Sequence, residues 1–502
     1  MRTPAARARV LLLAVLGGGL LLRLWLAYVA FPGQGFAGDV RLFARWAQSL
    51  AANGPGVFYA SDPTANYPPA YMYVLWLLGR LASGDTLVLL LKLPAILADV
   101  GVAALLARLA GRWMGPPAGV VAAALYLFIP VTWYDSALWG QVDAVPALVM
   151  MAALVLLVEG WSEPAAVLAA VAVMTKPQAL VCLVVVVPVL VRRHLLAVGS
   201  GPVPVRSGPL AVQGPVRLVT SALAAGAVAV ALLVPFDVER FAPASLAAVP
   251  VVADVAGLVG LVRSAADQFS VLSANAYNAW ALVGPQPLVQ TIASGSAAWT
   301  PDSLPVLGDI SAATLGTVLL VAVALLVAGG LLTRDGVLPI ALGFTVIAFA
   351  FYAVPTRVHE RYLFPAFASG AVLGAGVLAR AIAFAAAGLL NTINLHAVLA
   401  APSGGGFGGG RGGIGLRGGL GGGPPGFAPR GPGGPGGGFG PTAGIAISDV
   451  HLPLADLARS PAVAAAVALG QTAVLVVLLV AWLALLLAGR RRPITEPSRS
   501  PA

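Results

Sequence analysis

Apolar residues run through this chain in long blocks, and polar residues fall in the short gaps between them. A helix needs about 17–25 mostly apolar residues to cross a bilayer. One block ends near Phe31. Others lie near 89–110, 118–134, 143–158, 164–178, 179–191, 216–235, 311–333, 336–355, 362–380, 382–399 and 463–489. The pairs 164–191 and 362–399 admit other divisions. The pattern predicts an all-α polytopic membrane protein, a bundle of about twelve spanning helices within a range of about 10–14. The first block contains Arg23, is too long for a signal peptide and shows no obvious small-residue cleavage site, so it is read as the first span.

The gaps sort by charge. With the N-terminus inside, the inside turns hold Arg108 and Arg112, then Glu159 to Glu163, then Arg192, Arg193, Arg206 and Arg217, then Arg334 and Arg380, and last Arg490 to Arg492. Most arginine clusters thus fall on one side, as the positive-inside rule asks. The expectation is a multi-pass protein of the cell membrane with both termini cytoplasmic. The outside receives Pro32 to Leu91, Trp133 to Asp143, the turn at Lys176 to Gln178, Asp237 to Asp309, and Thr356 to Arg361. Segment 68–82 is apolar but short, and counting it as a span breaks the parity. It predicts an interfacial helix in the first external loop.

Composition agrees. The chain has 502 residues, of which 59% are hydrophobic and only 10% charged, against about 25% charged in soluble domains. A net charge of +10 invites a nucleic-acid reading. The basic residues are scattered in short clusters between apolar runs, which excludes it. The single cysteine, Cys182, rules out a disulfide framework within the chain. Residues 401–446 are Gly-rich and cannot bury enough apolar surface to offset chain entropy. They predict a flexible insert between a transmembrane region, 1–400, and a C-terminal region, 447–490, which carries the last span. Residues 491–502 predict a disordered cytoplasmic tail.

Ionisable and polar residues are costly at a membrane, and here they gather on the predicted outside. Asp39 opens an amphipathic stretch with Phe43 and Trp46, as a helix cap or as a chemical group. Tyr67 begins a rigid Tyr-Pro-Pro. Asp135, Gln141 and Asp143 lie among Trp133, Tyr134 and Trp139 at a helix mouth, where an interfacial loop could hold them without function. Lys176 stands between two apolar runs, as a snorkelling lysine or a phosphate partner. Lys92 and Asp99 share one helix face and predict an internal pair. Asn275, Asn278 and Trp280 are types that meet sugars, and types common in any loop. Arg357, His359, Glu360 and Arg361 form the densest cluster. A plain outside turn should be poor in arginine, and an anionic ligand such as a lipid phosphate would offset these charges.

The stretches GDVRLFARW, NYPPAY, KLPAILAD, ALWGQVDA, TKPQ, SANAYNAW and HERYLFPA, in that order from about 39 to 366, resemble the GT-C superfamily of membrane glycosyltransferases. Within it they look like bacterial and archaeal proteins related to the GPI mannosyltransferases and the dolichyl-phosphate-glucose glucosyltransferases. The resemblance implies a GT-C-like catalytic region over 1–400 and a polyprenyl-phosphate-linked sugar donor in the membrane. It also implies transfer of a hexose such as mannose, at the outer face, to a lipid, glycan or protein acceptor. The family's first-loop acid, a general base, falls on Asp39. Its donor-phosphate segment falls on His359 and Arg361, joined by Lys176, while Tyr67, Gln141, Asp143, Asn275, Asn278 and Glu360 are placed around sugar or acceptor. The resemblance implies chemistry that is metal-independent or weakly dependent on a divalent metal. Asn66 replaces the acid that often precedes the family's Tyr-Pro-Pro, and no Asp-x-Asp or Glu-x-Asp pair accompanies Asp39, so a divalent metal has no acidic pair to support it and no metal ligand or other cofactor is assigned. The competing class is a transporter or a flippase for lipid-linked sugars, which would place its ionisable groups near the bilayer midplane.

Overall fold

The computed structural model describes residues 4–196, 214–246, 248–283, 300–400 and 447–488. Among them the chain is helical, apart from two short two-stranded pairings. The predicted insert 401–446 and the tail 491–502 lie outside the described residues. Among the described residues seven helices are long and apolar enough to cross a membrane: Ala6–Ala30, Gly84–Met114, Pro177–Leu196, Pro215–Leu233, Ala312–Thr333, Leu378–Leu399 and Pro461–Ala488. Pro116–Phe128 and Pro130–Trp139 together make a further candidate crossing, bent by 52°. Proline at the break lacks an N–H and crowds the preceding turn, which accounts for the bend. Four shorter apolar helices complete the set: Ala144–Val158, Ser162–Thr175, Val337–Ala353 and Phe364–Gly374.

These segments follow the predicted blocks in order. Leu21, Leu223, Leu325 and Val477 lie exposed on the outer surface of the bundle. Such a surface suits lipid, and the protein is a multi-pass membrane protein.

The turns predicted inside contact one another. Arg108 and Arg112 both pair with Glu159, Arg217 with Glu163, and Arg193 with Asp335. Among the described residues, an ion pair also lies deep in the bundle. Arg23 is fully buried and donates through Nε to Asp99 Oδ2 at 2.7 Å, with its other donors on the carbonyls of Gly19 and Leu127 and on Thr132 Oγ1. Tyr126 and Ser136 hydroxyls donate to the same carboxylate. Asp99 therefore pairs with the first span and not with Lys92, as the shared face predicted. Lys92 Nζ instead donates to the carbonyls of Gln34, Ala137 and Leu138. Same-face spacing shows which residues can meet, but not which neighbouring helix competes.

A second apolar core lies beside the first, built by the first external loop. Ala37–Asn53 buries Val40, Phe43, Ala44, Ala47 and Leu50 at helical spacing. It packs on Pro69–Leu81, the predicted interfacial helix, which buries Tyr71, Met72, Leu75 and Leu78. Gly79 permits the contact: a Cβ there would lie 2.1 Å from the Ala47 carbonyl oxygen. The predicted outside segment Asp237 to Asp309 contains a helix, Pro250–Asp267.

Candidate functional site

Asp39 lies in the first turn of Ala37–Asn53, and Phe36 occupies the cap position. The aspartate side chain is thus free of capping and turns toward the bent crossing. Its Oδ2 accepts from Trp139 Nε1 at 2.8 Å and from Gln141 Nε2 at 2.7 Å. Gly140 makes this junction. Its φ of +83° ends the helix, and a Cβ there would meet Val40 at 2.9 Å and crowd Lys92. The chain turns there and delivers Gln141 to Asp39.

The ring of Trp139 joins the acid to a cation. Arg361 Cζ lies 5.6 Å from its centroid, within range of a cation–π contact. Arg361 also donates to Glu360 Oε1 at 2.6 Å, and its Nε is buried without a hydrogen-bond partner, 3.8 Å from Asp143 Oδ2. Asp143 Oδ1 accepts from Lys176 Nζ at 2.5 Å. Lys176 is buried and faces two rings, those of Tyr67 at 5.3 Å and Tyr362 at 5.9 Å. The turn between Ser162–Thr175 and Pro177–Cys182 places it there, with Pro177 starting the second element. Six separated stretches of sequence thus meet: Asp39, Tyr67, Trp139 to Asp143, Lys176, and His359 to Tyr362 by direct contact, and Asn275 through backbone.

His359 is held by backbone bridges to Ala274 and Asn275, and by the ring of Phe269 at a centroid distance of 4.5 Å. Burial, reinforced by the charges of Arg361 and Lys176, holds its imidazole well below the ordinary histidine range. It is therefore a neutral group at physiological pH. Burial pushes the Glu360 carboxyl up, against the pull of Arg361. Its Oε2 has no hydrogen-bond partner.

The candidates therefore divide. Asp39, Tyr67, Gln141, Asp143, Lys176, Glu360 and Arg361 form one contact network, with His359 at its edge. Asn275 takes part through its backbone, at φ +66°, while its carbonyl accepts from Asn394. Asn278 has both amide atoms on backbone groups: Nδ2 donates to the Tyr352 carbonyl, and Oδ1 accepts from Trp280 N–H. It closes a turn, and its side chain is fully buried there. Arg357 leaves the cluster, pairing with Asp302 at 2.6 Å and Asp267 at 2.7 Å. Its charge is offset by protein carboxylates, not by an anionic ligand as the sequence suggested.

Two residues enter that the sequence reading had not placed in the site. Trp139 anchors Asp39, and Tyr362 forms half of the ring pair around Lys176. Asp135 is fully buried, both its carboxylate oxygens lack hydrogen-bond partners, and it lies within electrostatic range of Asp143, Lys176 and Arg361. Its signal was local: it stands one helical turn before Trp139, in a π-helical stretch, Tyr134–Trp139, a distortion often found at functional sites. Carboxylates outnumber cations here. Even so, among the described residues no three His, Cys, Asp or Glu side chains form a set that could hold a metal ion.

No protein-family model matches the chain, and no curated protein matches it. The solved structures that match the chain include two membrane proteins. One is the Archaeoglobus fulgidus oligosaccharyltransferase in its apo form, with a TM-score of 0.42 and 16% identity over 77% of this chain and 51% of that one. The other is ArnT from Cupriavidus metallidurans bound to undecaprenyl phosphate, with a TM-score of 0.40 and 16% identity over 79% of this chain and 66% of that one. The chain thus spans about half the length of the first and just under two thirds of the second. Similarity at this level says nothing about substrate or chemistry.

Proposed function

We propose that this protein is a membrane-embedded glycosyltransferase of the GT-C kind, moving a sugar from a polyprenyl-phosphate donor to an acceptor hydroxyl at the outer face. One observation carries the reading. A half-buried carboxylate, oriented by two donors, shares the Trp139 side chain with an arginine whose Nε is an unused buried donor.

That arrangement suits a displacement at a sugar carbon. Asp39 takes the proton of the acceptor hydroxyl as that oxygen attacks. The bond from sugar to phosphate breaks, and the departing phosphate gains charge. Arg361 and Lys176 meet that charge in a poorly hydrated setting, where fixed cations act strongly. Both are already balanced by Asp143 and Glu360, so the donor competes for them; such a site is held together before the lipid arrives. Neutral His359 donates or accepts a hydrogen bond without adding charge. Tyr67 and Gln141 border the space for sugar or acceptor, while the Trp139 and Tyr362 rings face Arg361 and Lys176 and help hold the two cations. The transferred group is a hexose, mannose in the first instance.

The orientation belongs to the same reading: both termini cytoplasmic, the network at the outer face of the cell membrane. The transporter alternative finds less support. The ionisable pair deep in the bundle, Arg23 with Asp99, is closed by hydrogen bonds among its own neighbours.

The test is a screen of polyprenyl-phosphate sugars with purified protein and a membrane extract as acceptor, reading release of polyprenyl phosphate and appearance of a glycosylated product. One consumed donor class is the expected result. Passage of intact lipid-linked sugar across proteoliposomes, with no donor consumed, would favour the flippase and sink the transferase.

A further inference from the structure

The helix that carries Asp39 is not capped from its own loop. Phe36 precedes its first turn and supplies no side-chain hydrogen bond. The cap comes from the far end of the chain. Asp449 Oδ1 accepts from the Ala37 N–H at 3.0 Å. The backbone around it is fixed by strand pairing, Gln34 beside Ser448 and Gly35 beside Asp449, in parallel. Ser448 N–H donates to the Gly33 carbonyl at 3.1 Å. Ile447 is buried in the same apolar core as Val40, and Val450 is fully buried against the spans. Further on, the Pro453 carbonyl bonds His396 Nε2 at 2.8 Å, and Arg459 Nε donates to the Ala397 carbonyl at 2.7 Å. Residues 447–459 therefore form a strap, tied to the last turns of Leu378–Leu399 at one end and to the approach to Asp39 at the other.

We infer that Asp449 is a positioning residue for Asp39; the inference rests on the reading of Asp39 as the base. The physical argument is short. Free N–H groups at a helix start need acceptors, and a carboxylate there also meets the positive end of the helix dipole. Asp39 sits in that first turn, so its carboxylate is only as fixed as the turn. The Phe36 N–H donates to the Trp139 carbonyl at 2.9 Å, so the capped segment and the Trp139 side chain that holds Asp39 form one unit. Without the Asp449 carboxylate the first turn frays, and Asp39 loses its alignment with Trp139 and Gln141.

The experiment compares Asp449→Ala and Asp449→Asn in the full chain, in lipid nanodiscs. The amide oxygen of asparagine can still accept from Ala37, and alanine cannot. Deuterium exchange of the peptide covering residues 33–43 should quicken in the alanine variant and stay near wild type in the asparagine variant. With the donor identified by the screen, kcat should fall about tenfold in Asp449→Ala while donor KM stays within about twofold, as expected for a small misplacement of a reacting group. Asp449→Asn should recover most of that loss. Unchanged exchange in Asp449→Ala overturns the cap. Quickened exchange with unchanged kcat overturns the positioning role. A wild-type protein that consumes no donor, or an Asp39→Asn variant as active as wild type, overturns the base reading and the positioning role with it. That failure is told apart because the exchange difference between the two Asp449 variants persists.

Discussion

Replacing Asp39 by asparagine separates chemistry from structure at this site. The carboxylate uses one oxygen, Oδ2, for both Trp139 Nε1 and Gln141 Nε2. Asparagine retains one oxygen in that place and is nearly the same size. The two hydrogen bonds survive but lose their charge assistance, a change of about 0.5–1.5 kcal/mol in each. Thermal unfolding in detergent should therefore shift by only a few degrees. Proton removal cannot survive, because an amide is no base. A positioned general base contributes about 10²–10⁴-fold, which corresponds to about 2.7–5.4 kcal/mol of barrier. The assay is release of polyprenyl phosphate from the donor, followed over a range of donor concentrations. The expected outcome is a kcat reduced by at least about 10²-fold with donor KM little changed, since the donor phosphate is met by other groups. A variant that keeps more than about a third of wild-type kcat would refute the reasoning.

Three further outcomes follow from the geometry. Lys176→Met should leave the buried Asp143 carboxylate with only its longer contact to Arg361 and cost up to about 3–5 kcal/mol, read as a fall in unfolding midpoint; adding Asp143→Leu should restore much of the stability without restoring transfer, and a midpoint that does not recover would count against the pair. Because burial depresses the His359 pKa, the unfolded chain takes up a proton that the folded chain refuses as pH falls below about 6.5. Stability is therefore fully present above that pH and declines below it, and His359→Gln should show a smaller decline in melting temperature between about pH 7.5 and 5.5 than wild type. At the crossing of the two external helices, Gly79→Ala should drive a methyl into the Ala47 carbonyl and cost about 1–3 kcal/mol, seen as a lower melting temperature together with reduced transfer.

The spans were legible because hydropathy is a property of contiguous residues. Bounds moved by a few positions, as at Gly84, but order and number came through. What the sequence could not carry were choices among partners. Asp99 had a lysine on its own face and went to Arg23 on another helix. Arg357 stood within four residues of Arg361 in sequence, yet the left-handed backbone at its own position, φ +66°, sends it to Asp267 and Asp302. Asn278 had the right side chain for a sugar and is consumed by two backbone groups. Asp39, Lys176 and Arg361 could be picked out as candidates because each is an expensive residue beside apolar runs, and such residues need a reason. Trp139 and Asp449 carried no such flag. An aromatic at a membrane boundary is ordinary, and an aspartate after a Gly-rich stretch gives no hint of the helix it caps.

The Arg23 contacts bear on how the chain is made. The span Ala6–Ala30 carries a guanidinium, Arg23, and an unpaired arginine costs up to about 2.5–3.5 kcal/mol on insertion, the full figure applying at the centre of a span. Its counter-charge is 76 residues downstream, and its remaining distant acceptors, Leu127 and Thr132, are more than a hundred away. At about 5–20 residues per second of synthesis, the wait for Asp99 lasts from several seconds to a quarter of a minute. Until then the guanidinium of Ala6–Ala30 lacks the counter-charge that the folded bundle gives it, and Gly84–Met114 brings that charge. The cost of placing Ala6–Ala30 in lipid is thus offset by packing against Gly84–Met114, which couples the two spans energetically.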